Sequence, residues 1–201
     1  KNVNIVIMDK LNFKSKLILY VTLINFFTLI ISYGIFINTK LTTNKKNINN
    51  NLVEMSKLVS TDDTVLEAVT TGIINPKIDK EMDKYISIFK DIDIIVIADI
   101  TGKKYSHLDK SQIGQNFVNP VKWDKLLQNE GYFSTMLGSM GVTTRWFEPI
   151  LSKDKSKVLG FVMVGKYDYI IKTSNSSTIM IFTLLFLLAL TLAFILSVLF
   201  A

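Results

Sequence analysis

The stretch IVIADITGKKYSHLDKSQIGQNF, at residues 95–117, decides the fold of this chain. The apolar, mostly β-branched run over residues 92–98 predicts a buried strand. Asp99 and Gly102 bound a turn, and residues 103–107 predict a returning strand that completes a β-hairpin. The centre of the chain is therefore expected to form antiparallel sheet.

Outward from this hairpin, the spacing of apolar residues predicts helices before it and more strands after it. Helices are predicted over residues 39–60, 62–71, 77–90 and 120–129. The later strands are predicted over residues 132–136, 142–151 and 157–166. Strands clustered after helices indicate an α+β fold, in which a five-stranded antiparallel sheet carries the long N-terminal helices on one face.

The helix predicted over residues 39–60 has one apolar face. The side chains that recur at helical spacing are Leu41, Ile48, Leu52, Met55 and Val59. Such a face packs on the sheet of its own domain, pairs with the same helix of a second copy, or does both. A homodimer is therefore expected among the partners of this chain.

Two long runs, residues 17–37 and residues 178–201, contain no charged side chain. They are 21 and 24 residues long, and about 20 apolar residues cross the hydrocarbon core of a membrane as a helix. We expect both to be transmembrane helices. An uncleaved anchor suits the first run better than a signal peptide, because its apolar core is long and no Ala-x-Ala site follows it.

The segments outside these runs predict the orientation. Residues 1–16 carry four lysines and form a basic tail, which the positive-inside rule keeps in the cytoplasm. Residues 38–177 are then one extracytoplasmic domain, because long loops translocate largely regardless of charge. We expect a multi-pass protein of the cell membrane that continues past residue 201 into a cytoplasmic signalling part.

Composition excludes several classes of function. The chain has no cysteine and a single histidine, which excludes disulfides, thiolate zinc sites and multi-histidine metal sites. Its net charge of +6 does not predict nucleic-acid binding, because the lysines are dispersed and residues 38–177 carry 19 basic and 16 acidic residues. No paired carboxylates, Gly-x-Ser-x-Gly motif or Gly-rich phosphate loop is found. We predict no catalytic residue, no metal and no cofactor here, and any kinase activity would belong to residues outside this segment.

The residues best suited to binding are the only arginine, Arg145, and the only histidine, His107. A guanidinium holds a carboxylate with two hydrogen bonds, which a lysine cannot do. Alternation along the predicted strand places Arg145 on the same face as Phe147. If Lys104 and His107 join that face, it offers several positive donors beside an aromatic side chain, which suits a small carboxylate. A surface arginine and a locally hydrogen-bonded histidine are the plain alternatives.

Residues 95–117 resemble the sensor domains of citrate and C4-dicarboxylate receptor kinases, which are extracytoplasmic PAS-like, single-Cache domains. The motif of that family is a strand, an Asp-x-x-Gly turn, Arg-x-x-His, and a loop that ends in Ile-Gly-x-x-Phe. The matching residues here are Asp99, Gly102, His107, Ile113, Gly114 and Phe117. Lys104 stands where the family has arginine, and residues 118–120 (VNP) replace the family's Gly-Gly-Asp, whose loop helps to hold a ligand carboxylate.

Residues 138–150, GSMGVTTRWFEPI, are similar to the family's stretch Gly-Ser-Leu-Gly…Leu-Arg-x-x-x-Pro-Ile. In this resemblance Ser139 and Arg145 fall on ligand-contacting positions, and Phe147 lies two residues after the arginine. Residues 158–165 are similar to the family's last strand. The resemblance implies ligand contacts from Lys104, His107, Ser139 and Arg145, with Phe147 shaping the pocket.

The function implied is that of the ligand-sensing, signal-transducing region of a transmembrane receptor. The receptor would be a sensor histidine kinase of a two-component system or a chemotaxis receptor, and its ligand a small organic anion, a carboxylate. The alternative is a membrane-anchored dimerisation module with a degenerate pocket and no ligand, which the replaced Gly-Gly-Asp loop favours.

Overall fold

A computed structural model describes residues 12–138 and 141–199, apart from the side chains of residues 172–174 and 197–199. The chain divides into two compact units. One comprises Lys1–Thr43 with Thr173–Ala201, and the other comprises Asn44–Lys172.

The described residues form α-helices, strands and one 3₁₀ helix. The α-helices are α1 (Phe13–Ser60), α2 (Asp63–Thr71), α3 (Pro76–Ile88), α4 (Trp123–Leu127) and α5 (Asp168–Leu199). The strands are β1 (Ile94–Asp99), β2 (Lys104–Ser106), β3 (Tyr132–Gly138), β4 (Gly141–Leu151) and β5 (Val158–Tyr167). The 3₁₀ helix, Lys110–Gln112, lies between β2 and α4.

In the first unit, α1 and α5 are both long and apolar enough to cross a membrane. The predicted spans at residues 17–37 and 178–201 lie on these helices as far as the structure describes them. The hydroxyl groups of Tyr33 and Thr183 are in contact, and the ring of Tyr33 stacks on that of Phe186 with centroids 4.7 Å apart. The two helices therefore pack against each other within this unit.

In the second unit, the strands form a single sheet in the order β2-β1-β5-β4-β3, and every neighbouring pair is antiparallel. This confirms the predicted five-stranded antiparallel sheet. Strand β5 is central, and its residues from Gly160 to Tyr167 are all buried. An unbroken apolar run is what a strand covered on both faces requires.

The two faces of the sheet are covered differently. One face packs against α1, α2 and α3, and its buried residues are Ile95, Ile97, Ile150, Val162 and Val164. The helix residues buried against them include Ile48, Leu52, Met55 and Val59, so the apolar face predicted for residues 39–60 packs on its own sheet. The opposite face carries a second cluster, built on Ile94, Val96, Phe147, Phe161 and Met163. Pairing of α1 with a second copy stays a prediction.

The helix predicted over residues 120–129 is shorter than expected. Helix α4 begins only at Trp123, and the N–H of Lys122 just before it donates to the hydroxyl of Tyr132 at 2.9 Å. Asn129, with φ of 60°, lies in the left-handed region just after the helix. Tertiary contacts therefore override the local signal of the proline.

Candidate ligand-binding site

A cavity of about 90 Å³ lies on the sheet face opposite α1, α2 and α3. The strands contribute Ile94, Lys104, Gly138, Thr143, Arg145, Met163 and Tyr167 to its wall. The connection after β2 contributes His107, Gln112, Phe117, Val118 and Asn119. The cavity thus lies between the sheet and a single connecting loop.

The hairpin that was predicted from residues 95–117 places Lys104 and His107. The carboxylate of Asp99 accepts hydrogen bonds from the N–H groups of Thr101 and Lys103 at 2.8 and 3.1 Å. Gly102 adopts a φ of 87°, which few side chains tolerate. This tight turn returns the chain as β2, whose pairing with β1 puts Lys104 opposite Ala98.

The loop after β2 is fixed at both of its ends. The main chain of Lys104 bonds to the loop, accepting from the N–H of Gly114 at 2.9 Å and donating to the carbonyl of Gln115 at 3.0 Å. The ammonium of Lys110 pairs with Asp79 at 2.8 Å and with Asp83 at 2.7 Å, both on α3. These contacts hold the far wall of the cavity over the sheet.

Arg145 comes from β4, and its side chain is only 3% exposed. Its Nη2 donates to the carbonyl of Met136 at 3.2 Å. With the amide oxygen of Asn119 turned towards the guanidinium, that oxygen accepts from Nη1 at 2.6 Å and from Nη2 at 3.3 Å. Nε is buried without a partner, and no ion pair to Arg145 forms among the described residues. Burial lowers the pKa of Arg145.

Lys104 is 4% exposed, and its Nζ donates to the side-chain oxygen of Gln112 at 3.0 Å. Burial lowers the pKa of Lys104, and the charge of Asp109 opposes this shift. The lysine therefore presents a buried ammonium whose one described hydrogen bond is to a neutral group.

His107 is 7% exposed, and its Nδ1 lies 3.0 Å from both the amide nitrogen and the carbonyl oxygen of Asp109. The main chain of Asp109 thus occupies Nδ1 and leaves Nε2 as the ring nitrogen for other partners. Burial lowers the pKa of His107, a shift that the Asp109 backbone contact opposes and the charge of Lys104 reinforces. The imidazole is consequently neutral at pH 7.

The structure brings together three of the five residues selected from the sequence, namely Lys104, His107 and Arg145. Phe147 shares the face of Arg145 but lies behind the wall, where it is fully buried, stacks on Tyr132 and meets the lining residue Phe117 edge-on. Ser139 lies outside the described residues.

Three polar lining residues were missed from the sequence: Gln112, Asn119 and Tyr167. Tyr167 is the last residue of β5, it is 6% exposed, and its hydroxyl is buried without a partner. Its sequence signal was alternation, since it lies two residues beyond Gly165 and pairs with Thr143, on the same sheet face as Arg145.

Within the described residues, the wall of the cavity contains basic and neutral side chains and no aspartate or glutamate. No acidic side chain in this wall balances its positive charge, which favours an anion as the bound species. The lack of a side chain at Gly138 leaves space for the guanidinium of Arg145, because a Cβ at this position would lie 2.7 Å from Nη2.

Comparison with known proteins agrees with this architecture. Residues 51–176, more than half of the chain, match the family described as single Cache domain 3. The E. coli DcuS sensor domain superimposes with a TM-score of 0.58 at 18% identity, over 67% of this chain and 98% of that one. The ligand-binding domain of the Campylobacter jejuni chemoreceptor Tlp3, solved with L-valine, gives 0.51 at 13% identity, over 83% and 68%. At these identities the likeness concerns the fold.

A sensor domain of a histidine kinase from Clostridium perfringens is 44% identical over 61% of this chain and 95% of that one, with a TM-score of 0.43. No curated protein matches the chain significantly.

Proposed function

Because the chain belongs to the single Cache domain 3 family, we propose that residues 38–177 are the extracytoplasmic sensor of a membrane receptor and that the sensor binds a small organic carboxylate. The flanking helices α1 and α5 would anchor it as two membrane spans, with residues 1–16 in the cytoplasm. The solved proteins of this fold include sensor domains of histidine kinases and ligand-binding domains of chemoreceptors.

The observation that carries the proposal is the state of Arg145. Its guanidinium is buried, its Nε has no partner, and it forms no ion pair with a described carboxylate. A buried charge without a counter-charge is destabilising by several kcal/mol. A bound carboxylate would supply both the missing negative charge and an acceptor for Nε, and Lys104 lies in the same wall to add a second positive charge.

Signalling would pass through β5. Tyr167 ends this strand inside the cavity wall, and α5 begins at the next residue, Asp168. We propose that the ligand favours one position of β5 and thereby one position of α5. A ligand shifts such an equilibrium only by the difference between its affinities for the two states.

One observation favours the second candidate, a dimerisation module without a ligand. Asn119, which stands within the replaced Gly-Gly-Asp loop, already offers an amide oxygen to both terminal nitrogens of Arg145. An amide is neutral, however, so it satisfies hydrogen bonds without balancing the charge.

The test is calorimetry of the whole chain in lipid nanodiscs against carboxylates, with Arg145→Ala as the variant and Lys155→Ala, in the exposed turn before β5, as the matched control. Losing charge-assisted hydrogen bonds of about 1.5–3 kcal/mol weakens binding by roughly 10- to 100-fold. We expect this loss for Arg145→Ala and none for Lys155→Ala, with unchanged thermal unfolding of the control. Binding of equal strength in wild type and Arg145→Ala, or no binding of any carboxylate by a folded wild type, would reject the proposal.

A further inference from the structure

The volume of the cavity matches a small molecule. Its volume is about 90 Å³, whereas a cavity of about 150 Å³ lined by apolar side chains accommodates a benzene molecule. Benzene has six non-hydrogen atoms, so by simple proportion a cavity of this volume accommodates about four. That is the size of acetate, and succinate has twice as many such atoms.

Among the described residues, two buried side-chain atoms of the cavity have no hydrogen-bond partner, and both can donate. Nε of Arg145 and the hydroxyl of Tyr167 are the only buried side-chain nitrogen or oxygen atoms without a hydrogen bond among the described residues. The register of the sheet brings these two side chains near each other, since Tyr167 pairs with Thr143 while Arg145 pairs with Gly165 on the same face. Gly165 itself contributes no side chain to the space between them.

Lys104 and His107 are each partly engaged by the protein. Nζ of Lys104 is bonded to Gln112, and Nδ1 of His107 is engaged by the main chain of Asp109. The apolar part of the wall comes from Ile94, Phe117, Val118 and Met163. A carboxylate held by the two unpartnered donors, with a short apolar tail against Ile94 and Met163, fits this surface.

We infer that the ligand is a short monocarboxylate of about two or three carbons, an inference that rests on the proposed function. We also infer that Tyr167 contacts the ligand and binds the same carboxylate group as Arg145. The tyrosine hydroxyl donates to one oxygen and the guanidinium to the other. Because Tyr167 directly precedes α5, the same contact ties the bound carboxylate to the first residue of the helix that would carry the signal.

The test ranks ligands by calorimetry on the whole chain in lipid nanodiscs, using acetate, propionate, succinate, citrate and the neutral acetamide. We expect acetate or propionate to bind at least about tenfold more tightly than succinate and citrate, and acetamide not to bind. Tighter binding of succinate or citrate overturns the size inference and leaves the proposed function standing. Binding of acetamide as strong as that of acetate overturns the assignment of a carboxylate, and silence towards every anion rejects the inference together with the proposed function.

Tyr167→Phe isolates the hydroxyl, and Tyr85→Phe is its control, since the Tyr85 hydroxyl bonds to Glu81 on α3, away from the cavity. We expect Tyr167→Phe to weaken binding of the preferred short acid by about threefold to tenfold, and Tyr85→Phe to leave it unchanged. An unchanged affinity in folded Tyr167→Phe overturns the contact. The ranking of ligands by the wild type does not depend on how well the variant folds.

Discussion

At the scale of single residues, the site contains two buried basic side chains, Arg145 and His107, and burial lowers the pKa of both. Arg145 stays cationic because even a lowered pKa leaves a guanidinium protonated at neutral pH. Burial lowers the pKa of His107 from its ordinary value of 6.5, which favours the neutral imidazole. The groups that act on this imidazole are Lys104, Asp109 and Lys110.

The lowered pKa of His107 predicts how stability depends on pH. The unfolded chain binds the proton of this histidine more readily than the folded chain, so the folded state loses stability as the pH falls from about 6.5 through the lower folded pKa. We expect the melting temperature of the wild type to drop more between pH 7.5 and pH 5.5 than that of His107→Gln, which carries no titrating group. An equal drop in both proteins would show that His107 does not titrate in this way. A bound carboxylate would favour the protonated imidazole, so ligand binding should tighten over the same interval.

Arg145 and His107 could be chosen from the sequence as candidate binding residues because each is the only residue of its type in the chain. The family resemblance added Lys104. That these residues meet at one cavity depends on how the strands pair. Alternation along the strand predicted only the sheet face on which Arg145 lies. Tyr167 was missed because the last strand was predicted to end at residue 166, one residue before it, so alternation was not extended to this position. Asn119 was missed because its role comes from a loop conformation that leaves no mark in local sequence.

At the scale of secondary structure, the strand order explains why the site lies where it does. Strand β5 pairs with β1 on one side and β4 on the other, so Gly165 lies between Ile94 and Arg145. The sequence predicted this sheet because each strand is a clear apolar or alternating run. It overestimated the helix at residues 120–129, where the N–H of Lys122 bonds to the hydroxyl of Tyr132, a tertiary contact that the local pattern does not show.

The end of β3 offers a test of this arrangement. A methyl group at Gly138 would lie 2.7 Å from Nη2 of Arg145, closer than van der Waals contact allows. Because the far end of a long side chain can move, we expect Gly138→Ala to displace the guanidinium and weaken carboxylate binding by roughly tenfold, with less than about 1 kcal/mol lost from the free energy of unfolding. Calorimetry and chemical denaturation measure the two effects.

Gly34→Ala is the control for this variant, because a Cβ at Gly34 has no neighbouring atom within 4 Å. It should leave ligand affinity unchanged. Wild-type affinity in Gly138→Ala would mean that the guanidinium position is not what determines binding.

At the scale of the whole molecule, a single Cache domain stands in sequence between two helices that are long and apolar enough to span a membrane. Both helices continue into the domain, α1 as its N-terminal helix and α5 as the direct extension of β5. A ligand that contacts the last residue of β5 therefore acts one peptide bond away from a candidate membrane helix. To shift the populations of two states from 1:99 to 99:1, a ligand must bind the favoured state about 10⁴-fold more tightly than the other.

The pairing of a carboxylate with Arg145 can be observed directly at the guanidinium. Because the chain has a single arginine, protein labelled with ¹⁵N-arginine gives one Nε–H signal in the NMR spectrum, and the signal reports the very atom that lacks a partner. We predict that acetate or propionate shifts this signal downfield in a saturable titration, while sodium chloride of equal ionic strength does not. A signal that stays in place through titrations with acetate, propionate, succinate and citrate would contradict the account.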